Sequence, residues 1–188
     1  MAIGAATVEM PKPDGPLPKP AAYDPPDFTA CVAHLQTRER TATVEDLKAK
    51  CERTYDGIQS RILNFLITGY WLRGEAAEQH VSVTGAEVHK KFAEEKGEQY
   101  PTPSSFRRLQ EASRQTVPDL EFAVKTQMLS GRLLEAFTKR HSHEKSERAT
   151  IAAFNRSIRS TWAPKTYCQP GYVVPDCKQY KAPPKSGK

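Results

Sequence analysis

Long apolar runs are missing from this chain. The densest stretch, Ile62 to Leu72, is broken by Asn64 and Thr68, and a membrane-crossing helix needs roughly 20 apolar residues. Glycine is scarce at ten residues in 188. None stands in a Gly-x-Gly-x-x-Gly turn, a phosphate loop or a Gly-x-Ser-x-Gly elbow, which excludes those nucleotide and acyl-transfer sites. No cysteines take the Cys-x-x-Cys spacing of zinc knuckles and thiol-exchange motifs. His34, His80 and His89 stand alone, and His141 and His143, one residue apart, would point to different faces of a helix. Carboxylate pairs such as Glu94/Glu95 lie on solvated helix faces. The sequence therefore names no catalytic residue, no metal ligand set and no cofactor.

Proline and charge are unevenly placed. Residues 1–26 hold seven of the fifteen prolines, which predicts an extended, polyproline-like disordered linker, with a docking peptide for an aromatic groove as the alternative. The formal charge is +6, yet Lys139 to Lys188 alone carries eleven Lys/Arg against three acids, a net +8, and leaves about −2 for the rest. A basic terminal third suits nucleic acid, an anionic membrane surface or a charged cell wall, and equally a solvated helix face with a lysine-rich tail.

Between these ends the pattern is helical throughout, with no internal repeat and no strand of useful length. A first helix is expected from Asp27 to Arg38, and a long one from Thr43 to Gln79. The long helix carries Leu47, Cys51, Tyr55, Ile58, Ile62, Phe65, Leu66, Leu72 and Ala76 as one stripe. Gly69 and Gly74 are expected to bend or loosen its end. Thr84-Gly-Ala-Glu87 reads as a capping box opening a helix with Val88 and Phe92 on one face. Thr102-Pro103 restarts a helix with Phe106, Leu109 and Ala112 buried. Thr116 and Pro118 begin a long helix striped by Leu120, Val124, Met128, Leu133 and Phe137. The last helix is expected from Glu144 to Trp162, with Ile151, Phe154, Ile158 and Trp162 on its apolar face. The fold class is all-α: a helical domain over 27–163, then a disulfide loop and basic disordered tail over 164–188.

The cysteines form two close pairs. An antiparallel hairpin turning at residue 41 brings Cys31 level with Cys51, each ten residues from the turn. Cys168 and Cys177 close a short loop containing a Pro-Gly turn. Two such bridges would imply an oxidising compartment; the alternative is four buried or incidental thiols in a cytosolic protein.

The succession from Val83 to Phe137, with its Tyr100-Pro101 turn and Asp119-Leu120 entry to a long helix, resembles the N-terminal chaperone domain of SurA/PrsA-type foldases, parvulin-family peptidyl-prolyl isomerases. Asp24-Pro-Pro-Asp-Phe-Thr-Ala-Cys31 and the segment from Trp162 through Cys168 to Cys177 resemble parts of actinobacterial foldases of this type, so the likeness spans about residues 24–177. The resemblance implies a multi-helix SurA N-terminal-like fold whose last helix returns to the first ones, so that residues 139–188 are no separate domain. It also implies a parvulin domain between the long third helix of the set and the terminal helix. Here Thr138 to Glu144 joins those two helices directly, so the isomerase module and its activity are expected to be absent.

The function so implied is a non-enzymatic chaperone that binds unfolded or extended polypeptide in shallow apolar grooves outside the cytoplasm, with no small-molecule ligand. Tyr70, Trp71, Tyr100 and Met128 are its candidate client contacts, and the basic third is a candidate contact for an anionic cell surface. One alternative is a basic helical nucleic-acid module using Ser104-Ser-Phe-Arg-Arg108, against which the basic residues are split between helix and tail without helix-turn-helix spacing. The other is a prolyl isomerase by family membership. Related foldases carry an export signal or lipoprotein anchor before the proline-rich linker. The reading frame is therefore expected to continue upstream of Met1 into an apolar export segment of about 7–15 residues.

Overall fold

The computed structural model describes residues 23–141 and 146–182. Most of the expected linker, His143 and the end of the basic tail lie outside them. Among the described residues there are six α-helices and no strand: α1 (Thr29–Gln36), α2 (Val44–Glu78), α3 (Gly85–Gln99), α4 (Pro103–Ser113), α5 (Val117–Arg140) and α6 (Glu147–Trp162), followed by a 3-10 turn, Ala163–Lys165.

Local chemistry sets most of the starts. Thr43, Thr84, Thr102, Thr116 and Ser146 each accept a backbone N–H three residues on. At Thr84, Thr102 and Thr116 the third residue returns the bond to complete a capping box. α6 starts at Glu147, later than expected, because the Ser146 hydroxyl caps Ala149. α1 is shorter than expected for a different reason. Phe28 sits in the left-handed region at φ 56°, and the N-terminal amides of Ala30 and Cys31 are held instead by the Asp24 carboxylate. Those amides, Ala30 foremost, keep the Asp24 carboxyl below its ordinary range.

Two separate cores hang on α2, which at 35 residues is about 50 Å long. At its N-terminal end α1 folds back antiparallel, burying Phe28, Cys31, Val32, Leu47 and Cys51, with Tyr55 alongside. At its C-terminal end Trp71, Leu72 and Ala76 join Val83 and Val88, then Val124, Leu129, Leu133 and Phe137 of α5, and Phe154 and Ile158 of α6. α6 thus completes the main core and is no separate unit. A smaller aromatic group, Phe92, Phe106 and Tyr100, holds α4 against the end of α3.

Both expected disulfides are present, Cys31–Cys51 with Cα atoms 6.1 Å apart and Cys168–Cys177 at 5.8 Å. The second staples an ordered loop that is tied to the helices. The Trp71 indole donates to the Thr166 hydroxyl at 2.6 Å, Arg159 pairs with Asp176 at 2.8 Å, and the Gln59 amide reaches the Gly171 carbonyl at 3.4 Å.

Gly69 and Gly74 do not bend α2, which runs unbroken through both. They are points of close approach. A Cβ on Gly69 would lie 2.7 Å from the Phe122 ring, and one on Gly74 would lie 2.4 Å from the Trp162 ring. These two glycines let α5 and α6 seat against the helix.

Candidate apolar binding surface on the long helix

The stripe predicted along α2 is not buried along its length. Its ends are covered, by α1 over Leu47 and Cys51 and by α5 and α6 over Leu72 and Ala76. Between them the same face continues bare. Ile62 is 54% exposed, Phe65 36%, Leu66 38% and Tyr70 61%, and Ile58 is half-buried. Ile58, Ile62, Leu66 and Tyr70 follow one another in steps of four, with Phe65 three residues after Ile62, which puts them on one side of the helix.

Aromatic rings wall both ends of this stretch. At one end Tyr55 packs against Phe28 and Tyr23, with ring centroids 5.8 and 6.5 Å away. At the other, Phe122 of α5 stands edge-on to Phe65 at 5.8 Å and beside Tyr70 at 6.1 Å. Arg73 lies over the outer face of Tyr70, 5.6 Å from its centroid. From Ile58 to Tyr70 the helix rises about 18 Å, room for about five residues of extended peptide. Gln59 brings the tip of the disulfide loop beside this midsection, where Tyr172 and Val173 are also exposed. The surface is apolar, shallow and open, and it offers contact area rather than a reacting group.

The four candidate client residues do not converge. Tyr70 lies on the bare stripe. Trp71, one residue on, faces the core at 5% exposure with its indole N–H bonded to Thr166, so it cannot present itself to a bound chain. Met128 is half-buried against the main core. Tyr100 sits at the α3–α4 turn against Phe106, and partial burial raises its phenol pKa. The surface is instead built from Ile62, Phe65, Leu66 and Phe122. The available signal was the length of the stripe on α2, which exceeds what the eight-residue α1 can cover.

Two further depressions are open grooves. One of about 590 Å³ lies between α5 and α6, lined by Leu134, Thr138, Thr150 and Ile151 among others, with Lys139 and Glu135 paired at its rim. A smaller one of about 230 Å³ separates α3 from α5, where His89 and Glu121 meet at 2.7 Å. His141 stacks on Phe137 at 3.9 Å, packed as a core-edge ring. Among the described residues no group of three His, Cys, Asp or Glu side chains is placed to hold a metal ion. None of their helices is long and apolar enough to cross a membrane.

α5 ends at Arg140 and α6 begins at Glu147, so no domain-sized insert separates them. Comparison with protein-family models, curated proteins and solved structures finds no match to this chain.

Proposed function

We propose that this protein is a non-catalytic, chaperone-like module that holds extended stretches of non-native polypeptide against the midsection of α2, outside the cytoplasm. The observation that carries the reading is the bare run Ile62, Phe65, Leu66 and Tyr70 on a helix whose flanking segments are covered. Contiguous exposed apolar surface on a soluble domain commonly marks an interaction site. Contact through side chains of this kind accepts many sequences, which suits clients defined by being unfolded rather than by a motif. The two disulfides favour an oxidising compartment. The resemblance of the helix succession to SurA/PrsA-type chaperone domains points to the same class of client, and the short α5–α6 connection favours binding without prolyl isomerisation.

Fluorescence anisotropy with a labelled, permanently unfolded polypeptide tests the reading. Replacing Ile62 and Leu66 together by serine removes two partly exposed aliphatic groups. A client that buries them gains about 2 kcal/mol, so the double variant should bind about tenfold or more weakly. Binding should hold between low and moderate salt, whereas affinity resting on phosphate contacts falls steeply. Equal affinity in the variant and the parent would refute the site, and steep salt loss with a nucleic-acid ligand would favour the basic-module reading.

A further inference from the structure

We infer that the tip of the stapled loop, residues 171–173, is the second wall of the client surface, which makes the α2 midsection a trough for extended apolar segments with acidic neighbours. The inference rests on the client-binding reading and adds to it the wall and the charge of the client.

Helical geometry places the wall. At about 100° per residue, Gln59 lies about 60° to one side of Ile62 and Phe65 about 60° to the other. The Phe65 edge is closed by α5, whose Phe122 ring stands 5.8 Å from Phe65 and fills the space over Gly69. The loop arrives at the Gln59 edge, where the Gln59 amide donates to the Gly171 carbonyl at 3.4 Å. Ile62 and Leu66 therefore form a floor between two flanking elements.

The loop holds its tip ready. Cys168–Cys177 closes it, Asp176 is tied to Arg159 at 2.8 Å, and Val174 and Cys177 turn inward at 4% exposure each. Tyr172 and Val173, immediately before Val174, stay outside at 52% and 38%. Lys178 lies over the Tyr167 ring at 4.9 Å, whereas the Tyr172 ring meets no other ring or cation among the described residues. An aromatic side chain on a backbone already fixed costs a partner little ordering.

Area and charge supply the occupant. By their exposed fractions, Ile62, Phe65, Leu66 and Tyr70 offer roughly 350 Å², and Tyr172 with Val173 adds roughly 150 Å². The total falls short of the roughly 800 Å² per partner of a standard interface, which disfavours a second folded copy and suits a short extended segment. Between Ile58 and Arg73, α2 carries Arg61 and Arg73 and no acid. Asp56 lies about 120° round the helix from Ile62. Lys125 adds a third cation beside Phe122. None of these three cations is in an ion pair among the described residues, whereas Glu121 on α5 and Asp176 on the loop are matched by His89 and Arg159. An apolar segment with Asp or Glu beside it meets complementary charge here, and a lysine-rich one meets repulsion.

The test uses the full chain. With a photoreactive benzophenone side chain at position 172, a labelled unfolded polypeptide should cross-link to the loop. With the same group at exposed Val44, about 27 Å along α2 from Ile62, it should not. The double variant Tyr172→Ser/Val173→Ser should bind about fivefold to tenfold more weakly, with an unchanged melting temperature. An apolar peptide flanked by aspartates should bind about fivefold more tightly at low salt than its lysine-flanked counterpart, and Arg73→Gln should narrow that gap. Parent-like affinity in Tyr172→Ser/Val173→Ser, beside weakened binding in Ile62→Ser/Leu66→Ser, would overturn the second wall and leave the client reading standing. Equal or tighter binding of the lysine-flanked peptide would overturn the acidic client. Cross-links from position 172 to a second copy of the chain would overturn polypeptide as the occupant. If the parent binds no polypeptide, the client reading fails and the trough with it.

Discussion

Gly57 and Gly74 both lie inside α2, and replacing either by alanine relieves the same helix penalty of up to about 1 kcal/mol. What the new methyl meets differs. A Cβ at position 57 has nothing within 4 Å, whereas at position 74 it would stand 2.4 Å from Trp162 Cη2 and 2.8 Å from Cζ2 and Cζ3. The Trp162 ring cannot simply step aside, because its indole N–H donates to the Glu75 carboxylate at 2.8 Å and Lys165 lies over its face at 4.8 Å. A hydrogen bond to a charged group is worth about 1.5–3 kcal/mol, and forced overpacking costs about 1–3 kcal/mol. Gly57→Ala should therefore gain about 0.5–1 kcal/mol, and Gly74→Ala should lose about 1–2 kcal/mol net of its propensity gain. At about 2–4 °C per kcal/mol for a chain of this size, the two melting temperatures should differ by about 5–10 °C. Thermal melts by far-ultraviolet circular dichroism measure this directly. A Gly74→Ala protein melting with or above Gly57→Ala would refute the close seating of α6 on α2.

Replacing Cys31 and Cys51 by serine should release α1 and leave the main core intact. The loop-entropy stabilisation of about 3 kcal/mol for this 20-residue separation acts on the small core, and an eight-residue helix does not persist alone. Hydrogen exchange should accelerate in residues 29–55 while the fluorescence transition of Trp71 and Trp162 stays in place. A tryptophan transition that moves with α1 would contradict two separable cores. Glu87 gives a pH dependence. The Arg132 guanidinium, then the Thr84 amide and hydroxyl, hold its carboxyl down at about 2 from an ordinary value of 4.5. Because the folded value lies below the unfolded one, the contribution is complete above pH 4.5 and is lost as pH falls towards 2. The melting difference between the parent and Glu87→Gln should accordingly shrink across that range, and a difference constant with pH would remove Glu87 from the α3–α5 contact.

The helices were legible because most carry their own start signals, as at Thr43, Thr84, Thr102-Pro103 and Thr116-Pro118. The disulfides were legible because a hairpin and a short loop each leave one sensible pairing. What escaped depends on distant partners. Periodicity tells which face of α2 is apolar but not what covers it, so Ile62 and Leu66 read as core like Leu47 and Leu72. Trp71, one residue off the stripe, read as a candidate client contact because the residue that accepts its indole, Thr166, lies 95 positions away. Gly69 and Gly74 read as weak points because only the arrival of Phe122 and Trp162 shows why a side chain would not fit.

The central claim is that non-native polypeptide docks on the α2 midsection, and methyl NMR of isotopically labelled isoleucine and leucine tests it most directly. On titration with an unfolded polypeptide, the account predicts shift changes at Ile58, Ile62 and Leu66. The fully buried Leu47 and Leu133, and the Leu134 and Ile151 methyls in the α5–α6 groove, should stay still. Changes confined to Leu134 and Ile151, or no change at saturating polypeptide, would contradict it.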